Sequence, residues 1–534
     1  MMDLKKIFTL TFVVFIASSS FTQKVDKKIL NWYNGKKFGM HTDLAYKKLL
    51  NDKKAEEVVV AVIDSGVDIE HEDLQGRIWT NPNEIAGNGI DDDNNGYIDD
   101  IHGWNFLGAA DGENINDVQL EVTRLYARYQ KQFEGRSANQ INDDEQEDYA
   151  LYKKVKKEVD EVRKESQKEL DGIAESWDLL EKSDSQLKEK VGGDYTYKDL
   201  KKLKNDPELA LQAQMMIQLD GFGLSFQEFA DYKKYLEDDL NFTYNIDVNP
   251  REIVGDDPSD FNDKVYGNND VEGPDAGHGT HCAGIISAVR GNKIGNDGVA
   301  DNARIMSLRA VPNGDERDKD IALAVRYAVD NGAKIISMSF GKSYSPYQEE
   351  VIAAYKYAEE NDVLLVHAAG NEGVDVDVTD NYPSPKYESM SHRFSNWIEV
   401  GASTRYKKVE YKRGYMWNDG LAADFSNYGD EMVDVYAPGL EIYSTVPQSD
   451  YDEYAGTSMA CPMVSGLAAL LKGYYPSLNM TQIREIIVSS VQDVSEMTTP
   501  LPGDSETIVS FVDLCNTAGI VNTYNAVLMA EKLK

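Results

Sequence analysis

Gly456-Thr457-Ser458-Met459-Ala460-Cys461-Pro462 opens a strongly helical stretch that continues from Met463 to Lys472. A serine placed there has its Oγ at a helix N-terminus. Backbone N–H groups lack intrahelical acceptors at that point, and the helix dipole favours negative charge. Those conditions suit a serine that attacks a carbonyl and leaves an oxyanion behind. Gly456 permits close backbone approach, and Pro462 is expected in the first turn, where a missing N–H costs little. An ordinary Ser/Thr N-cap before a core helix would read the same way, so the rest of the chain has to decide.

A serine nucleophile needs a base, and the base needs an orienting carboxylate. The chain has seven histidines, and two of them lie in Ala276-Gly277-His278-Gly279-Thr280-His281-Cys282-Ala283-Gly284. That run opens a helix of small residues, whose glycines admit close packing against an imidazole. Val58-Val59-Val60-Ala61-Val62-Ile63 reads as a fully buried strand and ends in Asp64-Ser65-Gly66. An aspartate at the C-terminal end of a parallel strand stands where open α/β sheets place their sites. A fourth run, from Val363 to Gly373, is a buried strand that ends in Gly370-Asn371.

Taken in the order Asp, His, Ser, these runs resemble the subtilisin-like serine peptidases. The resemblance implies Asp64 as orienting carboxylate, His278 as base and Ser458 as nucleophile. It implies Asn371 as the oxyanion-hole amide, beside the Ser458 N–H. Ile336-Ser337-Met338-Ser339-Phe340-Gly341 is similar to the strand that pairs with substrate backbone, with Ser339, Phe340 and Gly341 at the contacting positions. Such recognition reads main chain and tolerates many side chains. Ser337 departs from the family's usual asparagine. Asn381-Tyr382-Pro383 aligns with the rim of the primary specificity pocket, an ordinary turn being the alternative. The implied fold is α/β, a parallel sheet with helices on both faces. Strand-like runs (58–63, 305–309, 334–339, 363–368) alternating with helical ones (318–331, 347–361, 457–472) agree with it.

Residues 1–22 carry Lys5 and Lys6, an apolar run from Ile7 to Ala17 and a small-residue end, the pattern of a secretory signal. The run is too short to span a bilayer. Export to an extracellular or periplasmic place is therefore expected, and no other segment reads as a membrane span. The net charge is −37, from 92 acidic and 55 basic residues, which disfavours nucleic acid as a partner. Cys282, Cys461 and Cys515 are expected free.

Asp64 and His278 stand much farther apart than the few tens of residues usual in the family. The excess lies in 111–249, between a first catalytic part at 23–110 and a second at 250–534. Tyr152, Val155, Val159, Val162, Leu170, Ile173, Trp177 and Leu180 recur at helical spacing with charged outer faces. Asp206-Pro207 and the capping box Ser225-Phe226-Gln227-Glu228 open two more helices. This acidic helical insertion could gate substrate, offer a platform to a protein partner, or be inert. The stretch between Gln23 and Asp64 is too short for the family's N-terminal propeptide.

Gly89-Ile90-Asp91-Asp92-Asp93-Asn94-Asn95-Gly96-Tyr97-Ile98-Asp99 spaces oxygen ligands as a calcium loop does, through Asp91, Asp93, Asn95, the Tyr97 carbonyl and Asp99. The bidentate glutamate of an EF-hand is missing, since His102 stands in its place. Asp73 and Asn292 resemble a second calcium site of the family. The function expected is a secreted, calcium-stabilised serine endopeptidase acting on polypeptides. The alternatives are a catalytically silent relative that binds through the insertion, and an esterase or acyltransferase with the same triad.

Overall fold

The computed structural model describes residues 29–533 apart from 222–223, 408 and 413–414. The secretory signal expected at 1–22 lies outside the described residues. The chain divides into two compact units: Asp117–Asn249, and a larger one made of the described residues up to Asn116 together with Pro250 onward.

The larger unit is built on a nine-stranded sheet. From one edge its strands are Gly103–Asn105, Ala303–Arg309, Val58–Asp64, Ile335–Met338, Leu364–Ala368, Trp397–Ser403, Val435–Pro438, Gly519–Ile520 and Gln492–Asp493. All neighbours are parallel except the last pair. Val58, Val60 and Val62 join the core formed with Met463, Leu467 and Leu470, whereas Ala61 and Ile63 are buried outside that cluster. Both faces are thus covered, which is why the strand reads as an unbroken apolar run. Ala303–Arg309 lies on one side of Val58–Asp64 and Ile335–Met338 on the other. The chain order reverses there, and the crevice at the strand ends is the place where such sheets hold ligands.

The helix Thr457–Tyr474 is buried along its length apart from Lys472. It is apolar or small all round, as an enclosed helix must be. Pro462 is its sixth residue rather than part of its first turn. Its missing N–H frees the Ser458 carbonyl four residues back. That oxygen instead accepts from the Ser339 hydroxyl at 3.0 Å and the Cys282 thiol at 3.4 Å. The three cysteines are free and buried. No helix among the described residues is long and apolar enough to cross a membrane.

In the smaller unit, the expected long helix is Gln146–Val191, 46 residues. Near its start Tyr152 packs with Phe133 and Tyr126 of the helix Glu121–Phe133. Near its end Leu187 joins Leu200, Leu209, Ala213 and Met216. The Ser225–Glu228 box caps the helix Phe226–Asp238 as its sequence predicts. Asp206 caps the turn that leads into the helix Ala210–Gly221: its carboxylate accepts the Glu208 and Leu209 N–H groups and its carbonyl that of Ala210. Gln119 donates to the carbonyls of Asn245 at 2.9 Å and Val248 at 2.7 Å, so the two ends of the unit lie side by side.

Candidate active site

Asp64 ends its strand 3% exposed, and His278 is the second residue of the helix Gly277–Ser287. His278 Nδ1 and Asp64 Oδ1 are 2.7 Å apart, and the same oxygen accepts the Ser65 N–H at 2.7 Å. A carboxylate only accepts, so Nδ1 carries the proton, and Nε2 of the neutral ring is left as an acceptor. Burial lowers the His278 pKa, but the charge and hydrogen bond of Asp64 more than offset it, and the net shift is upward. Gly279 makes this approach possible: a Cβ there would stand 2.1 Å from the Gly66 carbonyl oxygen and 3.1 Å from the Asp64 Cβ.

Ser458 lies in the first turn of its helix, 7% exposed, with its Oγ donating to the Ser339 carbonyl at 3.3 Å. Its neighbour Thr457 fixes Asn371. The Thr457 N–H and hydroxyl both reach Asn371 Oδ1, at 2.8 and 3.0 Å. Because an N–H can only donate, the amide orientation is settled and Nδ2 remains as donor. The point where a Gly456 Cβ would sit is 3.5 Å from Ser458 N and 3.7 Å from Asn371 Nδ2. The Ser458 N–H and the Asn371 amide thus both lie beside Gly456. Thr457 was legible only as part of its motif, and nothing in the sequence marks it as the anchor of Asn371.

Ser339 and Phe340 are buried and Gly341 is exposed. Asn381 stands against Gly341, its Oδ1 3.2 Å from where a Cβ would be, and donates to the Ala369 carbonyl at 2.9 Å. Ser337, the departure noted above, bonds to Ser465 at 3.0 Å. Beside the strand, Glu316, Asp318, Phe340, Lys342, Tyr382 and Tyr387 line a pocket, of which the sequence had suggested only Phe340 and Tyr382 as contact or rim residues. Lys342 pairs with Asp318 at 2.7 Å, and burial pushes the Glu316 carboxyl up to about 7. Glu316 and Asp318 belong to the charged run Asp315-Glu316-Arg317-Asp318.

His281 is not a second base. It is fully buried, its Nε2 lies 3.0 Å from the Ile442 carbonyl, and its ring stacks on Tyr454 at 4.3 Å. Burial, then the charge of His278, lowers its pKa to about 3.

The side chains expected to form a calcium loop sit in a chain of local turns, in which Asp91 and Asp93 both accept the Asn95 N–H, at 3.1 and 3.0 Å. Asp91 accepts the Asn95 and Gly96 N–H groups, Asn95 that of Tyr97, and Asp99 those of Asn88 and Gly89. Local side-chain-to-backbone turns use these oxygens. Asp93 also meets Glu84 and Asp100, with ligand atoms within 4.8 Å of one another. Asp73 fits a cation better. It is fully buried, Oδ1 accepts from Asn292 at 2.6 Å and Oδ2 has no hydrogen-bond partner. Burial raises its pKa. Asn292 presents its NH₂ to Asp73, so its amide would turn over to serve as a ligand.

A family model described as "Subtilase family" matches residues 55–504. The chain belongs to this family. Among its relatives, the thermophilic serine proteinase of Bacillus sp. is 38% identical over 237 residues, 44% of this chain and 51% of that protein. Thermitase of Thermoactinomyces vulgaris is 37% identical over 220 residues, 41% and 68% of the two chains. The thermostable alkaline protease of Halalkalibacterium halodurans is 32% identical over 314 residues, 56% and 76%. This chain thus spans about half the length of the first of these relatives.

Proposed function

We propose that this subtilase is an exported serine endopeptidase that cleaves polypeptides through Ser458, His278 and Asp64. The observation that carries the reading is the 2.7 Å Asp64–His278 contact, set at the strand end beside the first turn of the Ser458 helix. Ser458 Oγ leaves the Ser339 carbonyl, gives its proton to His278 Nε2 and attacks the substrate carbonyl carbon. The oxyanion receives the Ser458 N–H and the Asn371 amide. His278 then protonates the leaving amine, and water, deprotonated by the same nitrogen, releases the acid and restores the serine. Asp64 holds the ring and stabilises the imidazolium. Ser458→Ala should lower turnover by roughly 10⁶-fold, the loss known for subtilisin itself when its nucleophile is removed. The check is casein hydrolysis together with fluorophosphonate labelling. Label on another residue, or wild-type turnover in the variant, would overturn the assignment.

Structural calcium is part of the proposal. Asp73, with Asn292, would hold one ion, and Glu84, Asp93 and Asp100 another. A ligand that binds only the folded state at a hundredfold excess over Kd adds about 2.7 kcal/mol. Calcium should therefore raise the melting temperature of chelator-stripped protein, and Asp73→Asn should blunt the rise. Superimposable melting curves with and without calcium would remove this part of the reading.

A further inference from the structure

His367 and Glu399 are register partners on two adjacent parallel strands, both buried in the sheet. Their contact is 2.8 Å, from His367 Nδ1 to Glu399 Oε1. The other ring nitrogen, Nε2, lies 2.7 Å from the Phe340 carbonyl oxygen. Both partners are acceptors, so both ring nitrogens carry protons, and the group is an imidazolium facing a carboxylate. Burial lowers its pKa, but Glu399 more than offsets this, so the net shift is upward. The second carboxylate oxygen takes the Trp397 indole N–H at 2.7 Å. A buried ion pair costs desolvation, and two apolar residues would fill the same space more cheaply. Neither residue has a part in the proposed chemistry.

What the pair does touch is Phe340. In a trans peptide the carbonyl and the following N–H lie in one plane and point in opposite directions. Drawing the Phe340 oxygen inward onto His367 therefore turns the Gly341 N–H outward, at an exposed residue. Immediately after it, Lys342 leaves the strand to exchange both backbone hydrogen bonds with Tyr382, at 2.8 and 2.9 Å.

We propose that His367, held by Glu399, is a positioning residue that presents the Gly341 N–H to the backbone of a bound polypeptide. The role rests on the peptidase reading above. It concerns a contact away from the scissile bond, so its signature is dependence on substrate length.

The test uses the full chain and two variants. In Glu399→Gln the neutral ring still donates from Nε2 to Phe340, because the new amide can donate to Nδ1. In His367→Leu/Glu399→Gln both charges go together, so no buried charge is left unpaired, and Trp397 keeps an acceptor. Each protein is assayed on a tetrapeptide anilide and on a single-residue ester, with fluorophosphonate labelling of Ser458 as the measure of catalytic competence. The double variant should lose about tenfold in kcat/KM on the tetrapeptide, the size of a single hydrogen bond, while its ester turnover and labelling stay as in wild type. Glu399→Gln should stay within about threefold of wild type on both. A double variant that keeps the full tetrapeptide advantage would overturn the proposal, as would equal losses on ester and tetrapeptide. Failure of the wild type itself to label would instead remove the peptidase reading, and the positioning role with it.

Discussion

His278 and His281 stand three residues apart on one helix, and their surroundings drive them in opposite directions. His278 gains a carboxylate, so its pKa rises, and any stability it adds is present at low pH and lost as pH climbs through the folded value. Burial, then the charge of His278, holds His281 neutral down to about 3, against two carbonyls at Nε2 that favour the protonated ring. The unfolded chain would protonate it near 6.5. Its contribution is therefore complete above about 6.5 and is lost as pH falls towards the folded value. The unfolding free energy from denaturant titrations should drop between pH 7 and pH 4 by an amount on the order of a few kcal/mol. His281→Gln should be less stable at pH 7 but flatter across that window; an equal slope in the variant would assign the acid sensitivity elsewhere. At this scale the sequence was informative where a residue sits in a short motif with its own backbone geometry, as Asp64, His278, Asn371 and Ser458 do. It was silent where a role depends on a distant partner. His367 lay within a run read as a buried strand, and Glu316 and Asp318 carried no reading of their own. In the calcium loop the spacing was visible, but the meeting of Asp93 with the distant Glu84 and with Asp100 was not.

At the scale of elements, the site depends on how closely a helix can approach a strand end. Gly279 is the contact point, since a Cβ would meet the Gly66 oxygen at 2.1 Å. That neighbour is backbone and cannot rotate away. Gly279→Ala should push the helix off the Asp64–Gly66 turn, lowering stability by about 1–3 kcal/mol. Activity should fall by about a hundredfold, as displacements of an ångström can produce. Normal activity in a destabilised variant would show that the helix moves without carrying His278 from Asp64. The strands and helices themselves were largely legible, because a continuous β-branched run and a small-residue helix each have few alternatives. Val58–Asp64 and Asp318–Asp330 lie within a residue or two of their expected ranges. The short strands Gly103–Asn105, Gly519–Ile520 and Gln492–Asp493 were not legible, since two or three residues carry no periodicity. Pro462 was misplaced because its cost depends on what else the freed Ser458 carbonyl can find, which only the fold supplies.

At the scale of the molecule, the question is whether Asp117–Asn249 supports the rest. Its own core is self-contained, from the Phe133–Tyr152 contact to the Leu187–Met216 cluster. The larger unit, for its part, anchors both points where the chain leaves and returns. The Asn116 carbonyl accepts the Asn313 N–H at 2.8 Å. Arg251 is clamped by Asp320 through two bonds of 2.7 Å, with Asp256 on its other side. Asp256 also takes Lys319 at 2.7 Å. These buried charges satisfy one another wholly within the larger unit, so removing the insertion would strand none of them. Joining Asn116 to Pro250 through a short Gly/Ser linker should therefore leave a folded enzyme that hydrolyses a tetrapeptide within about threefold of the full chain, a difference of under 1 kcal/mol. Circular dichroism and the same anilide assay decide it. Loss of fold would mean that the insertion contributes core to the larger unit; a folded protein without peptide hydrolysis would place the insertion in the active site. If both survive, rates on a folded protein substrate separate the remaining roles. A changed rate assigns gating to the insertion. An unchanged one leaves it as a surface for a protein partner or as an inert excursion.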